Sequence, residues 1–182
     1  SQYTAYFEPT TLLASLAMAT ERIGLVATQT TSYNEPYNIA RRFASLDHLT
    51  NGRVGWNVVT SGNDAEAFNF GRDEHFEHDE RYLRAQEFVQ VVKGLWDSWD
   101  DDAFLYDREG GRFFDPQKMH KLNHVGKYFK VRGPLNVPRS PQGHPVIFQA
   151  GISESGRELA AATAEGVFSG ELTIERSQAH YA

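Results

Sequence analysis

Four neutral polar side chains lie at or near the carboxyl ends of apolar stretches: Thr28, Asn57, Ser61 and Gln149. The stretch around Asn57, RVGWNVVTS at 53–61, has the length and composition of a buried strand. A buried amide without a hydrogen-bond partner costs about 1–3 kcal/mol. Asn57 and Gln149 therefore either pair with each other or with water, or they hydrogen-bond a planar polar ligand at the strand ends. The spacing alone leaves both interpretations open.

The segment QAGISESGRELAA at 149–161 is a second candidate for chemistry. Gly151 and Gly156 flank Ser153 immediately before a predicted helix, and backbone N–H groups at a helix N-terminus bind anions such as phosphate. The alternative is that Ser153 or Ser155 only caps the helix. The segment lacks the lysine of the P-loop and the glycine spacing of dinucleotide-binding loops, so neither of those motifs applies.

Two histidine pairs have spacings that metal sites use, HFEHDE at 75–80 and HKLNH at 120–124. Neither His75 with His78 nor His120 with His124 has a second cluster that would complete a ligand set, so we interpret both as solvated loops. The sequence also lacks a G-x-S-x-G elbow, and it shows no evident carboxylate pair of glycosidase type. The catalytic residues are therefore not identified by motif.

The elements that must position these residues alternate between strand and helix. Apolar runs predict strands at 23–28, 53–61, 145–150 and from 166 to 170, and helical periodicity predicts helices at 9–20, 36–50, 79–99 and 155–165. This order favours a parallel sheet with crossover helices, and the Gly- and Pro-rich segment of about 100–144 reads as an insertion with short hairpins. Side-chain alternation places Thr28, Asn57 and Gln149 on one face of that sheet.

Composition excludes several classes of function. The 182 residues carry a net charge of −6, which disfavours a nucleic-acid partner, and the absence of cysteine excludes disulfides and thiol chemistry. No apolar run reaches the roughly 18 residues that span a bilayer, and no signal peptide is visible. We expect a cytoplasmic protein that does not bind membranes.

Three longer stretches carry a family resemblance: TERIGLVATQTTSYNEPYNIARRFASLDHLTNGRVGWNVVTS at 20–61, HVGKYFKVRGPLNVPRSPQG at 124–143 and PVIFQAGISESGRELAA at 145–161. With ERYLRAQEF at 80–88 between them, they resemble the bacterial-luciferase-like flavin monooxygenases, in particular the nitrilotriacetate and dibenzothiophene-sulfone monooxygenase branch. The resemblance implies a (β/α)8 TIM barrel. It also implies an enzyme that oxygenates a small organic substrate with O2 and often cleaves a C–N or C–S bond.

The resemblance also implies a cofactor and its contacts. Reduced FMN would be supplied by a separate NAD(P)H:flavin reductase. Thr28 would lie beside the isoalloxazine, Asn57 would contact the ring or the ribityl chain, and Gln149 would face the barrel interior. Tyr82 and Ser153 would hold the phosphate, with the backbone N–H of Glu154 beside it. The family habit further implies a homo-oligomer.

The length of the chain departs from this family, whose members are more than twice as long. We expect the chain to cover strands 3 to 6 of the barrel plus the insertion, and to be unstable or to associate on its own because an open half-barrel exposes strand edges. Two other functions stay open. One is a deazaflavin-dependent oxidoreductase on the same barrel, and the other is a non-catalytic or truncated flavin-binding fragment.

Overall fold

The computed structural model describes residues 6–170 and 172–181 as helices and strands joined by short loops. The helices are α1 Pro9–Ala19, α2 Pro36–Thr50, α3 Asp64–Ala67, α4 His78–Trp96, α5 Glu154–Thr163 and α6 Ile174–Tyr181. The strands are β1 Leu25–Thr30, β2 Val54–Val59, β3 Phe104–Asp107, β4 Arg112–Phe114, β5 His124–Val125, β6 Lys130–Val131, β7 Val146–Gln149 and β8 Gly166–Val167. Two 3-10 turns cover Phe68–Phe70 and Pro116–Lys118.

The main sheet is parallel and has the strand order β1-β2-β7-β8. Each of its strands corresponds to one of the four predicted apolar runs, so the predicted parallel sheet is confirmed. Strand bounds move by up to three residues, because hydrogen-bonded pairing rather than apolar composition fixes where a strand ends. Of the helices, α2 has the predicted bounds, whereas α4 ends at Trp96, three residues earlier than predicted.

The core lies on one face of the sheet, between β2 and the helices α2 and α4. Trp56 is fully buried, and its ring centroid lies 5.6 Å from that of Phe43, 6.0 Å from Phe88 and 6.4 Å from Trp96. Its indole Nε1 donates to the carbonyl of Gln29 at 3.1 Å, so the ring is buried without an unpaired donor. The core-facing residues of β2, Val54, Trp56 and Val58, are all apolar and buried, as is expected of a strand face that helices cover.

The opposite face of the sheet carries Thr28 and Asn57, as the alternation predicts. Along β1, buried Leu25 and Ala27 alternate with exposed Val26 and Thr28. Thr28 is paired in register with Asn57, so both side chains project from the face turned away from α2 and α4. We call this side of the sheet the open face.

The predicted position of Gln149 on the open face is wrong. Asn57 is in register with Phe148, whose ring lies over Gly55 and Gly166: a Cβ added at those glycines would be 3.0 Å and 2.7 Å from it. Gln149 follows Phe148 and therefore projects to the helix side, where it is buried. Both faces of the run VIFQ begin with an apolar residue, so alternation alone does not tell which face is turned to the helices. The register of β7 with β2 shows which one it is.

The predicted insertion at about 100–144 does contain short hairpins. β3 pairs with β4 and β5 with β6, both antiparallel. The indole Nε1 of Trp99 donates to the carbonyl of Leu135 at 2.7 Å, which ties the segment to the end of α4. Among the described residues, no helix has the length and apolar character that crossing a membrane requires.

Candidate functional site

A cleft of 320 Å³ lies at the carboxyl ends of β2 and β7. It is lined by residues 58–62, residues 149–151 and Tyr82 of α4. Parallel α/β folds place their ligands at this edge of the sheet. A groove of 620 Å³ on the outer surface of α1 and α2 is larger, but none of the buried side-chain atoms without a partner lines it, among the residues that the structure describes.

Two hydroxyl groups meet at one side of this cleft. The Oγ of Ser153 lies 3.4 Å from the phenolic oxygen of Tyr82, although their chain positions are 71 residues apart. Ser153 is the N-cap of α5, and its Oγ accepts from the backbone N–H of Gly156 at 3.1 Å. The predicted cap is therefore present. Glu154 is the first residue of α5, so its backbone N–H has no acceptor within its own helix.

The backbone around Ser153 is packed too closely for side chains at its two flanking glycines. A Cβ at Gly151 would lie 2.9 Å from the Cα of Gly156, and a Cβ at Gly156 would lie 3.0 Å from the Cα of Gly151. The loop between β7 and α5 is thereby folded back on the first turn of the helix. Any other residue at Gly151 must move backbone atoms to fit.

Two amide atoms at the strand ends are buried and lack a hydrogen-bond partner among the described residues, Nε2 of Gln149 and Oδ1 of Asn57. Gln149 is only 3% exposed and lines the cleft. Asn57 uses its Nδ2 to donate to the Oγ1 of Thr28 at 3.0 Å, which leaves its oxygen free as an acceptor. Most buried polar groups in proteins are paired, so each of these atoms calls for an explanation.

The six site residues predicted from sequence fall into two groups. Tyr82 and Gln149 line the cleft, and Ser153 adjoins it through its contact with Tyr82, followed in the chain by Glu154 at the start of α5. Thr28 and Asn57 lie together on the open face, whereas Gln149 projects to the other face of the sheet. The two amides therefore do not pair with each other, which removes one of the interpretations left open by the sequence.

The structure adds His78 to the first group. Its ring centroid lies 4.9 Å from that of Tyr82, one turn later on α4. The spacing of four residues between them in HDERY predicts this proximity for a helix, but the solvated-loop interpretation of His78 overlooked it. The interpretation holds for His120, which is exposed and bonds to Asp100. It is wrong for His124, which is largely buried against Glu87.

His75 is also not a solvated loop residue. Its Nδ1 lies 2.9 Å from the hydroxyl of Tyr33, and its Nε2 lies 3.3 Å from Nη1 of Arg81. Burial, and secondly the positive charge of Arg81, lower the pKa of His75 from its ordinary value of 6.5. The sequence carries no local signal for this cluster, because its members come together only through the tertiary fold. No group of metal-ligating side chains occurs within the part of the chain that the structure describes.

Comparisons with known proteins agree with this architecture. The family model described as luciferase-like monooxygenase matches residues 1–182. The chain is 64% identical to nitrilotriacetate monooxygenase component A of Aminobacter aminovorans, over 96% of the chain and 38% of that protein. It is 55% identical to dibenzothiophene-sulfone monooxygenase of Rhodococcus erythropolis, again over 96% of the chain and 38% of the relative.

A solved structure extends the likeness to the fold. The crystal structure of riboflavin lyase with modified FMN and its substrate riboflavin superposes with a TM-score of 0.92 at 41% identity, over 97% of this chain and 40% of that one. The chain thus spans about two fifths of the length of the proteins that it matches. It has the α/β fold of the TIM-barrel proteins in this group. Because the family model matches residues 1–182 and these identities are high, the chain belongs to the luciferase-like monooxygenase family.

Proposed function

We propose that the natural protein containing this chain is a monooxygenase that uses reduced FMN and O2 to oxygenate a small organic substrate, with cleavage of a C–N or C–S bond. In this proposal the chain forms strands 3 to 6 of a (β/α)8 barrel, and residues of about 100–144 form an insertion. The observation that carries it is the convergence of Tyr82 and Ser153 at the N-terminus of α5, beside an unpartnered amide of Gln149.

The cleft fits the phosphate end of FMN. A phosphate has three acceptor oxygens, and the cleft offers donors: the hydroxyls of Tyr82 and Ser153, the backbone N–H of Glu154 and the free Nε2 of Gln149. The close approach of Gly151 to Gly156 shapes the loop that carries Ser153. The ring of His78 contacts Tyr82, so a further N–H donor is near the same end.

The open face fits the flavin ring. Oδ1 of Asn57 is an acceptor without a partner, and an isoalloxazine ring presents both N–H and carbonyl groups. The Oγ1 of Thr28, which accepts from Asn57, fixes the orientation of that amide. Gln149 projects to the other side of the sheet, so we assign it to the phosphate end and not to the ring.

The chemistry itself belongs to the cofactor, and this chain supplies binding and orientation. When bound, reduced flavin provides the electrons with which oxygen is activated. The residues at the phosphate end hold one end of the molecule, and Thr28 with Asn57 orients the other. The surrounding loops exclude water, which protects reactive flavin chemistry from side reactions.

The proposal includes partners. A separate NAD(P)H:flavin reductase would deliver the reduced FMN, which agrees with the wording "component A" in the name of the Aminobacter relative. We also propose that the natural protein is a cytoplasmic homo-oligomer. The exposed Val26 and Thr28 of the open face are covered in a closed barrel, so the stability of this chain depends on the rest of the barrel.

Oxygen uptake tests the activity. The natural gene product is mixed with reduced FMN and either nitrilotriacetate or dibenzothiophene sulfone, and substrate-dependent oxygen consumption is measured. We expect turnover with at least one of these probes and tighter binding of FMN than of a deazaflavin. Tyr82→Phe should weaken FMN binding, whereas Tyr37→Phe, a half-buried tyrosine at the start of α2, should not.

The other outcomes decide between the competing functions. Preference for the deazaflavin would replace the monooxygenase assignment by a deazaflavin-dependent oxidoreductase. FMN binding without turnover of either probe would favour a non-catalytic flavin-binding protein. Failure to bind either flavin would refute the proposed function.

A further inference from the structure

The segment of residues 62–77 runs from the cleft to the start of α4, and we call it the 62–77 segment. It contains α3 and the 3-10 turn Phe68–Phe70, and it begins at Gly62, which lines the cleft. The ring of Phe70 stacks on Tyr33 with centroids 4.5 Å apart and planes 6° from parallel. The segment thus packs against the loop that follows β1, at the edge of the sheet where the proposed ligand binds.

His75 provides the polar contacts of this segment with its surroundings. On one side its ring lies within hydrogen-bond distance of Tyr33, in the loop after β1. On the other side it meets Arg81 of α4, whose guanidinium also donates to the carbonyl of Ser61 at the end of β2. One imidazole therefore connects the segment to two neighbouring parts of the fold at once.

The groups around the ring are mostly donors. The guanidinium of Arg81 has only N–H donors, and the backbone N–H of Phe76 lies 2.8 Å from Nδ1 of His75. A neutral imidazole has one nitrogen that accepts a hydrogen bond. A protonated imidazole has two N–H donors and no acceptor, and it then finds a partner only in the oxygen of Tyr33. The surroundings therefore favour the neutral ring over the protonated one.

We propose that His75 is a positioning residue, whose neutral ring holds the 62–77 segment closed at the mouth of the cleft and whose protonation releases the segment. The consequence for catalysis rests on the proposed function: a closed segment keeps water from the flavin, and an open one admits it. We call this closure of the 62–77 segment by the neutral ring of His75 the latch. The latch is a property of the apoprotein and does not require the flavin assignment.

The charges that face His75 define the direction of the pH dependence. Burial and then Arg81 lower its pKa, whereas Asp64 and Glu66 of α3 raise it and Arg72 of the segment lowers it, with a net decrease. Tyr33 stays neutral, because burial and Glu66 raise its pKa. In the open state His75 returns to about 6.5. Closure is therefore complete above that pH and is lost as the pH falls toward the lowered value of the closed state, about tenfold per pH unit.

A thiol probe in the natural protein measures the opening directly, and the 182 residues of this chain contribute no cysteine of their own. Ala67 of α3 is fully buried, so Ala67→Cys places a thiol that reacts with dithiodipyridine only when the segment opens. Its rate is divided by that of a free thiol peptide at the same pH, and the unsubstituted protein gives the background. We expect the normalised rate to rise about tenfold per unit below pH 6.5. Ala85→Cys, equally buried in α4, should stay unreactive and reports global unfolding.

Variants test whether His75 is responsible. His75→Gln should make the rate at Ala67→Cys independent of pH, and His120→Gln, which removes an exposed histidine, should leave the pH dependence intact. Arg81→Gln removes the cation and thereby raises the pKa of His75 in the closed state, so the rise should be smaller and should level off at a higher pH, while Arg81→Lys keeps the charge and should change it less. This second pair decides the matter even if His75→Gln does not fold.

The results separate the latch from the proposed function. A flat rate in Ala67→Cys with His75 intact, or the same rise when Ala67→Cys is combined with His75→Gln, would overturn the latch whatever the flavin affinity is. FMN titration of the same samples measures flavin binding independently of the thiol reaction. Absence of FMN binding together with a His75-dependent rise would refute the flavin assignment and support the latch.

Discussion

Two polar side chains that are largely shielded from solvent, Glu87 of α4 and Gln149 of β7, differ in how their hydrogen bonds are satisfied. The carboxylate of Glu87 accepts from Nε2 of His124 at 3.0 Å and from the backbone N–H groups of Tyr128 and Phe129. The amide of Gln149 is more deeply buried, at 3% exposed against 13% for the side chain of Glu87, but its Nε2 has no partner among the described residues. The first group lies on α4 and bonds partners in the insertion, and the second lines the cleft.

The difference indicates what each region is for. A buried group that is fully bonded in the protein itself contributes to stability, and Glu87 holds the insertion onto the barrel helix. A buried group without a partner costs stability until something else supplies one. We therefore assign the Glu87 cluster to structure and the Gln149 cleft to ligand binding.

Removing the charge of Glu87 should give the largest effect on stability. In Glu87→Gln an amide NH2 replaces one acceptor oxygen and faces N–H donors, so we expect a loss of about 3 kcal/mol in the free energy of unfolding by chemical denaturation. FMN affinity of the folded protein should not change. Glu80→Gln, an exposed position on the same helix, is the control. A loss equal to that of the control would mean that Glu87 does not anchor the insertion.

The same residue gives a pH dependence. Burial raises the pKa of Glu87, but the hydrogen bonds from His124 and the two backbone N–H groups lower it by more than burial raises it. The pKa therefore lies below 4.5 in the folded protein. Its contribution to stability is therefore complete above pH 4.5 and is lost as the pH falls through the lowered folded-state value. Stability measured between pH 6 and pH 3 should fall less steeply in Glu87→Gln than in the unsubstituted protein.

Filling the glycine contact at the cleft should give an intermediate effect on stability and a large one on binding. In Gly151→Ala the new Cβ would lie 2.9 Å from the Cα of Gly156, so the backbone must shift. We expect a loss of about 1–3 kcal/mol in unfolding free energy and about a tenfold loss of FMN affinity. Gly170→Ala, with no atom within 4 Å of the added Cβ, should change neither. Unchanged affinity in Gly151→Ala would separate this loop from the ligand.

Replacing the amide of Gln149 should give the smallest effect on stability, and it tests the contrast between Gln149 and Glu87 most sharply. Gln149→Leu removes a donor that has no partner among the described residues, so the unfolding free energy should stay within about 1 kcal/mol or rise, while FMN affinity falls about tenfold. Gln29→Leu is the matched control, because that amide is buried and bonds both Glu8 and Asn34. It should lose stability. Equal destabilisation by both substitutions would contradict the assignment of Gln149 to a ligand.

Much of this architecture could be predicted from sequence, and particular residues show where prediction stops. The parallel sheet follows from apolar runs that alternate with amphipathic helices, and the face of Asn57 follows from VGWN, in which Trp56 clearly belongs to the core. The face of Gln149 does not follow, because VIFQ is apolar on both sides and its register is set by β2. The surroundings of His75 do not follow either, since Tyr33 is 42 residues away in the chain.

The central claim is that the cleft at the carboxyl ends of β2 and β7 holds the phosphate of FMN, and a parallel titration with FMN and riboflavin tests it most directly. Riboflavin carries the same ring and lacks the phosphate. We predict that the natural protein binds FMN at least about tenfold more tightly, that Tyr82→Phe and Ser153→Ala remove most of this preference, and that Thr28→Val weakens both ligands alike. Equal affinities for FMN and riboflavin, or a preference untouched by Tyr82→Phe and Ser153→Ala, would contradict the account.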